Sequence, residues 1–361
     1  MRRTAGWALS FLMLTCSAAA GTATSADPLG AKVRAVVTAG SPGALVLVQD
    51  GSSRFAEANG LAELGSRMRL RPGDRFRAGS ITKTFVAVVA LLLVRDGRLR
   101  LDDTVERWLP GLLPDDHVTI RDLLGHTSGL SDYAADEEFL RRTAREPRHL
   151  WTPRELVRTA LRLGPAGPRG ERFAYASTNY IVLGRVIERV TGRPIRAELR
   201  RRIFEPLALR GTTFTPGALV RGRHAHGYVP SVHDGIVGSL ATARDRSEAS
   251  ASWAWAAGAI VSTASDLSRF LGALVGGRLL PPRLLAQMRP APGTRYGLGL
   301  AAFPTPCGTA IGHTGNLLGT VSAAWSSPEG RRRVVAMTNS YPLSPTADTA
   351  FRRLLETAFC G

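Results

Sequence analysis

The chain has 361 residues, 44% of them hydrophobic and 21% charged, proportions that suit one large domain or two smaller ones and exclude a fibre or a long disordered chain. The formal charge of +18 raises nucleic-acid binding, but the arginines are spread along the whole chain and no basic stretch is interleaved with aromatics, so no nucleic-acid partner is expected. Only Lys32 and Lys83 are lysines among the 47 basic residues, which looks like a coding bias, and a basic protein can still be drawn to anionic cell-wall polymers.

Residues 1–26 read as a signal peptide. Arg2 and Arg3 supply a positive start, residues 5–14 are mostly apolar but too short to span a bilayer, and small residues at 18–20 and 24–26 offer cleavage sites. An alternative makes Cys16 a lipoprotein anchor, for which Thr15 is a poor neighbour. The mature protein is therefore expected outside the cytoplasm, secreted or in the cell envelope, with no stable membrane span. Cleavage leaves Cys307 and Cys360, and an even pair in an exported chain suggests a disulfide, the alternative being two buried thiols. A loop of that length would contribute about 4 kcal/mol in the chain-entropy account.

Residues 44–48 and 54–57 read as a strand pair around the Asp50-Gly51 turn. The apolar run 85–94 is too short for a membrane and reads as a buried helix. Helices follow at 120–124, at 153–163 behind the N-cap Thr152, and from Asn179 to a stop at Gly192 and Pro194. Another is expected at 266–274. Strands are expected at 296–301, 309–313, 321–325 and 333–337, with a hairpin turn at Ser327-Pro328-Glu329-Gly330, and a helix at 346–359 closes the chain. The simplest architecture is α+β. Residues 27–108 and 280–361 build one antiparallel sheet flanked by helices, and a mostly helical region, 109–279, is inserted between them.

Three short motifs carry chemistry. In Ser80-Ile81-Thr82-Lys83, positions three apart share a helix face. A serine hydroxyl needs a base, lysine can serve as one when its pKa is lowered, and arginine cannot. The helix start also offers free N–H groups to an oxyanion. Taken alone, the pattern equally describes a solvated Ser and Lys on a helix surface, although the apolar run after Lys83 argues against that. In Tyr175-Ala176-Ser177, a phenol at a loop tip can exchange protons near a lysine, or simply pack. In His313-Thr314-Gly315, followed by Asn316, small residues let a ligand approach the strand edge, and His313 can donate to a carboxylate. His224 and His226 lie two apart without a completing cluster, so no metal and no cofactor are expected.

S-x-x-K, then Y-x-S, then H-T-G, in this order, resembles the serine β-lactamase and penicillin-binding-protein superfamily. The likeness is to its class C-like branch and the soluble D-alanyl-D-alanine carboxypeptidases. Phe76-Arg77-Ala78-Gly79-Ser80, Gly125-His126-Thr127-Ser128-Gly129 and Tyr296-Gly297-Leu298-Gly299-Leu300 extend it, from about Leu29 to the C-terminus. The resemblance implies the β-lactamase/transpeptidase-like fold. It implies Ser80 as the acylated nucleophile and Lys83 and Tyr175 sharing acid and base work. Ser177, His313, Thr314, Gly315 and Asn316 would bind substrate, with the Ser80 and Asn316 N–H groups as the oxyanion hole. Trp253 would be a pocket wall, and His126 would stabilise a turn.

Two departures stand out. Ser177 replaces the longer amide of the usual Y-x-N, and Ala301-Ala302-Phe303 stands where some relatives carry a carboxylate-binding arginine. The expected activity is that of an exported serine hydrolase resembling a D-alanyl-D-alanine carboxypeptidase. The expected substrates are small peptides, β-lactams or esters. The alternatives are a β-lactamase or esterase on the same scaffold, or a non-catalytic envelope protein.

Overall fold

The computed structural model describes residues 28–233 and 236–361; residues 1–26, expected to be a signal peptide, and with them Cys16, lie outside the described residues. The first elements are helix α1 (Pro28–Thr38), strands β1 (Gly43–Asp50), β2 (Ser53–Glu63), β3 (Met68–Arg69) and β4 (Phe76–Arg77), and helix α2 (Ile81–Arg95). The middle holds α3 (Ile120–Gly125), α4 (Pro153–Arg162), α5 (Ser177–Thr191), α6 (Ile195–Leu199) and the short β5 (Thr213–Phe214) and β6 (Ile260–Ser262). Helix α7 (Ala264–Val275), strands β7 (Ala301–Thr305), β8 (Gly308–Leu317), β9 (Thr320–Ser326) and β10 (Arg332–Thr338), and helix α8 (Pro345–Cys360) complete the chain.

Strands from both chain ends form one antiparallel sheet in the order β7-β8-β9-β10-β1-β2-β3. In β1, alternation sends Ala44, Val46 and Val48 to one face, where they pack with Val334, Ala336 and residues of α1 and α8. Leu45 and Leu47 point the other way and join Ala324, Val335, Met337 and the core around α2. A sheet apolar on both faces needs a helical layer on each side. Helix α2 is the central one: every residue from Ile81 to Leu93 is buried, as expected of a helix apolar all round. It packs against α5, β8 and the short helix Trp255–Gly258.

Local signals hold most helix ends. Thr152 accepts from the Glu155 N–H while the Glu155 side chain returns to the Thr152 N–H, a capping box that starts α4. Gly192, in the left-handed region, ends α5. Cys307, in the β7–β8 turn, is bonded to Cys360 at the end of α8. Among the described residues no helix is long and apolar enough to cross a membrane.

One expected strand is displaced. Residues 296–301 do not form it; Ala301–Thr305 does, and Tyr296 makes only an isolated bridge to Ala301. The cause is close packing at two glycines. A Cβ at Gly297 would meet the Met288 carbonyl oxygen at 2.5 Å, and one at Gly299, whose φ is +98°, would meet the Ala87 Cβ at 2.4 Å. The chain bends there, and Tyr296 turns inward.

Candidate active site

Ser80 caps the start of α2, just after Gly79, whose φ is +54°. One helical turn on, Lys83 is fully buried and reaches back with Nζ 3.0 Å from Ser80 Oγ. The same Nζ lies 2.9 Å from the Ala257 carbonyl and 3.5 Å from Ser177 Oγ. These three oxygens match the three N–H groups of an ammonium, and no carboxylate is among them. A neutral amine there would instead turn a lone pair to the serine hydroxyl.

The strand leading into Ser80 is bolted to β9. Thr320 Oγ1 donates to the Arg77 carbonyl at 3.0 Å and Ser322 Oγ to the Ala78 carbonyl at 3.0 Å. Glycine is required on both sides of this contact. A Cβ at Gly79 would sit 2.8 Å from Asn316 N, and one at Gly315 would sit 2.0 Å from the Ala78 carbonyl oxygen. The backbones of Gly79-Ser80 and Gly315-Asn316 therefore meet, which places the main chain around Ser80 and Asn316 at one spot.

Tyr175 arrives from the loop before α5. Its ring lies 4.9 Å from Lys83 Nζ and stacks on His126 at 4.4 Å between centroids. His126 ends α3 in the left-handed region. Its Nδ1 accepts from the Ala176 N–H at 3.2 Å and faces Asn179 Nδ2 at 3.0 Å. Burial, with the charge of Lys83 nearby, holds its pKa well below the usual histidine value. His126 thus does more than close a turn: it lies under the tyrosine and pins the next amide.

His313 faces the same cluster, its ring 6.4 Å from that of Tyr175. Its Nδ1–H donates to the Thr314 carbonyl, which leaves Nε2 to accept from the Tyr296 hydroxyl at 3.1 Å. Burial lowers its pKa to about 4, so the imidazole is neutral at pH 7. Tyr296 itself is half-buried, and desolvation of its hydroxyl raises the phenol pKa well above the ordinary value and keeps it a donor.

Ser80, Lys83, Tyr175, Ser177 and His313 are thus brought together, with Gly315 and Asn316 against the entry to Ser80. Ser177 interacts with the Tyr133 hydroxyl, which donates to the Trp253 carbonyl at 2.6 Å. Trp253 joins the site through that contact and packs on Phe139. Thr314 is exposed on β8 beside His313. Sequence reasoning did not single out Tyr133 or Tyr296 as site residues. Tyr296 had a signal, the Tyr-Gly-Leu-Gly-Leu segment; Tyr133 had none. His224 and His226 stack 5.0 Å apart, and His226 pairs with Asp245 at 2.8 Å. Among the described residues no group of three or more His, Cys, Asp or Glu is placed to hold a metal ion.

The fold has counterparts in known proteins. A D-stereospecific amidohydrolase from Streptomyces sp. superposes with a TM-score of 0.82 at 33% identity, covering 92% of this chain and 98% of that one. The D-amino acid amidase of Ochrobactrum anthropi SV3, complexed with L-phenylalanine, superposes with a TM-score of 0.79 at 28% identity, over 91% of this chain and 97% of that one. Penicillin-binding protein 4* of Bacillus subtilis (strain 168) is 31% identical over 196 residues, 53% of this chain and 42% of that protein. The chain spans about half the length of the curated relatives it matches. The Beta-lactamase family model matches residues 29–359, a span that takes in every residue of the cluster, and this chain therefore belongs to the Beta-lactamase family.

Proposed function

We propose that this protein is a serine amidohydrolase that cleaves the amide bond following a D-amino acid through an acyl-enzyme on Ser80. The observation that carries the reading is the fully buried Lys83 with its Nζ 3.0 Å from Ser80 Oγ. Ser80 Oγ attacks the carbonyl carbon and its proton passes to the Lys83 amine. The oxyanion lies between the N–H groups of Ser80 and Asn316. As the tetrahedral adduct collapses, the leaving amine takes a proton from Lys83 or Tyr175. Water then attacks the ester by the same route in reverse and frees Ser80. The D-configured substrate is carried over from the amidohydrolase and amidase whose folds this chain shares.

A D-alanyl-D-alanine carboxypeptidase is the narrower reading. Neutral His313 and the run Ala301-Ala302-Phe303 supply no cation for a terminal carboxylate. That favours donors with an uncharged leaving group, amides and esters among them. Export is part of the proposal, supported by the Cys307–Cys360 bond, since disulfides persist in oxidising compartments.

The test uses D- and L-phenylalanine amide with the wild type and Ser80→Ala. Hydrolysis of the D-isomer that vanishes in the variant, with a phosphonate adduct mapped to Ser80, is expected. An adduct or turnover that survives Ser80→Ala would refute the assignment.

A further inference from the structure

Away from Ser80, a groove of about 1030 Å³ opens between α6 with its following turn and the loop that contains β5. Five arginines line it. Arg196, Arg200 and Arg210 come from the helical side, Arg75 and Arg221 from the other. Glu205 is the lone acidic lining residue, and it is paired with Arg200 at 2.7 Å. The carboxylates on neighbouring segments are engaged elsewhere: Asp266 accepts from the Gly211 N–H at 2.8 Å and the Thr212 hydroxyl at 2.9 Å, Glu198 pairs with Arg201 and Arg202, and Asp74 pairs with Arg223. The guanidinium of Arg75 donates to the Arg221 carbonyl at 3.1 Å, which ties the far rim together. Arg196, Arg210 and Arg221 are exposed and form no ion pair among the described residues. Arg269 adds a further cation at the rim, donating to the Leu207 and Ala208 carbonyls at 3.4 and 3.2 Å.

Such a surplus of like charge around a concavity is held apart only by water and counterions, so an anion gains by entering. Guanidinium forks match phosphate oxygens two at a time. The volume exceeds what one small anion fills. A concave groove does not admit a flat bilayer. The aromatic residues in its lining, Phe204 and Phe214, are buried at 7% exposure each and offer no face on which a nucleobase can stack. We propose that this groove binds a linear, phosphate-bearing polymer other than nucleic acid, and so holds the protein on such a polymer while the Ser80 site stays free. The proposal is independent of the chemistry at Ser80.

The probe is inorganic polyphosphate at about 150 mM salt, where long-range attraction by the overall charge is screened beyond roughly 8 Å. The groove variant is Arg196→Gln/Arg210→Gln/Arg221→Gln. The control is Arg34→Gln/Arg158→Gln/Arg189→Gln, three exposed arginines outside the groove that lower the net charge equally. The expected result is binding by the wild type and a loss of about tenfold or more in the groove variant. The slope of log Kd against log salt should also fall by roughly two, about 0.7 for each lost phosphate contact. The control should stay within about twofold of the wild type. Thermal unfolding checks that each variant folds, and Arg221→Gln alone, expected to weaken binding about threefold, replaces the triple if it does not. Equal weakening in groove and control variants would overturn the proposal, as would no binding by the wild type. Tighter binding of oligo-dT than of polyphosphate, or binding of phosphatidylglycerol vesicles without binding of polyphosphate, would overturn it too.

Discussion

Replacing His313 by lysine would put a lasting charge where the wild-type protein keeps a neutral ring. Burial lowers the His313 pKa to about 4, so at pH 7 roughly one molecule in a thousand carries the imidazolium. Both ring nitrogens are also committed, Nδ1 to the Thr314 carbonyl and Nε2 to the Tyr296 hydroxyl. A substrate whose leaving group ends in a carboxylate therefore meets no full charge from this residue. In His313→Lys an ammonium on a flexible stem extends from the same point of β8. A hydrogen bond between charged groups contributes about 1.5–3 kcal/mol, or roughly 10- to 150-fold in kcat/KM. The ammonium also acts on Lys83 as a neighbouring like charge, but it does so for every substrate. The informative quantity is accordingly a ratio, kcat/KM for a D-alanyl-D-alanine peptide divided by that for its methyl ester. That ratio should rise at least about tenfold in His313→Lys. If it moves less than about threefold in a folded variant that still forms the phosphonate adduct, His313 does not face the leaving group and the account of specificity fails.

Three further outcomes follow from the same contacts. Lys83→Arg keeps the charge but cannot accept a proton near neutral pH, so acylation measured by mass spectrometry should fall by roughly a thousandfold or more; comparable rates would leave Lys83 as a fixed charge only. Gly315→Ala places a Cβ 2.0 Å from the Ala78 carbonyl oxygen, backbone that cannot swing away. It should cost about 1–3 kcal/mol in urea unfolding and slow acylation, and a variant as stable as the wild type would contradict the close contact. The third concerns acid. With its folded pKa depressed to about 4, His313 binds fewer protons folded than unfolded. Its neutral form favours folding in full above pH 6.5, and that contribution is lost as pH falls toward 4. Unfolding free energies should fall by about 2.4 kcal/mol more between pH 7 and pH 4.5 in the wild type than in His313→Gln. Identical pH slopes would show that the ring is not desolvated.

Sequence alone made legible what depends on neighbours along the chain. Ser80 and Lys83 stand one helical turn apart, and the apolar run behind them required burial. Asp50-Gly51 required a hairpin, and Thr152 with Glu155 required a helix start. Apolar runs in 44–48 and 333–337, bounded by turn residues, called for strands of one sheet, and the ordered motifs pointed to the family. Turns, caps and periodicities are set within a few residues, so they can be read there.

The tertiary structure decided what depends on distant segments meeting. The neutrality of His313 comes from burial and the nearby charge of Lys83, and its Nε2 is met by Tyr296, which two tightly packed glycines turn inward in place of the expected strand. The support for Tyr175 is His126, 49 positions earlier in the numbering and in contact only because α3 ends beside the loop before α5. Tyr133, Ser177 and Trp253 likewise join from three separate segments. Desolvation and ring contacts are sums over whatever the fold brings near, and no local pattern of residues encodes them.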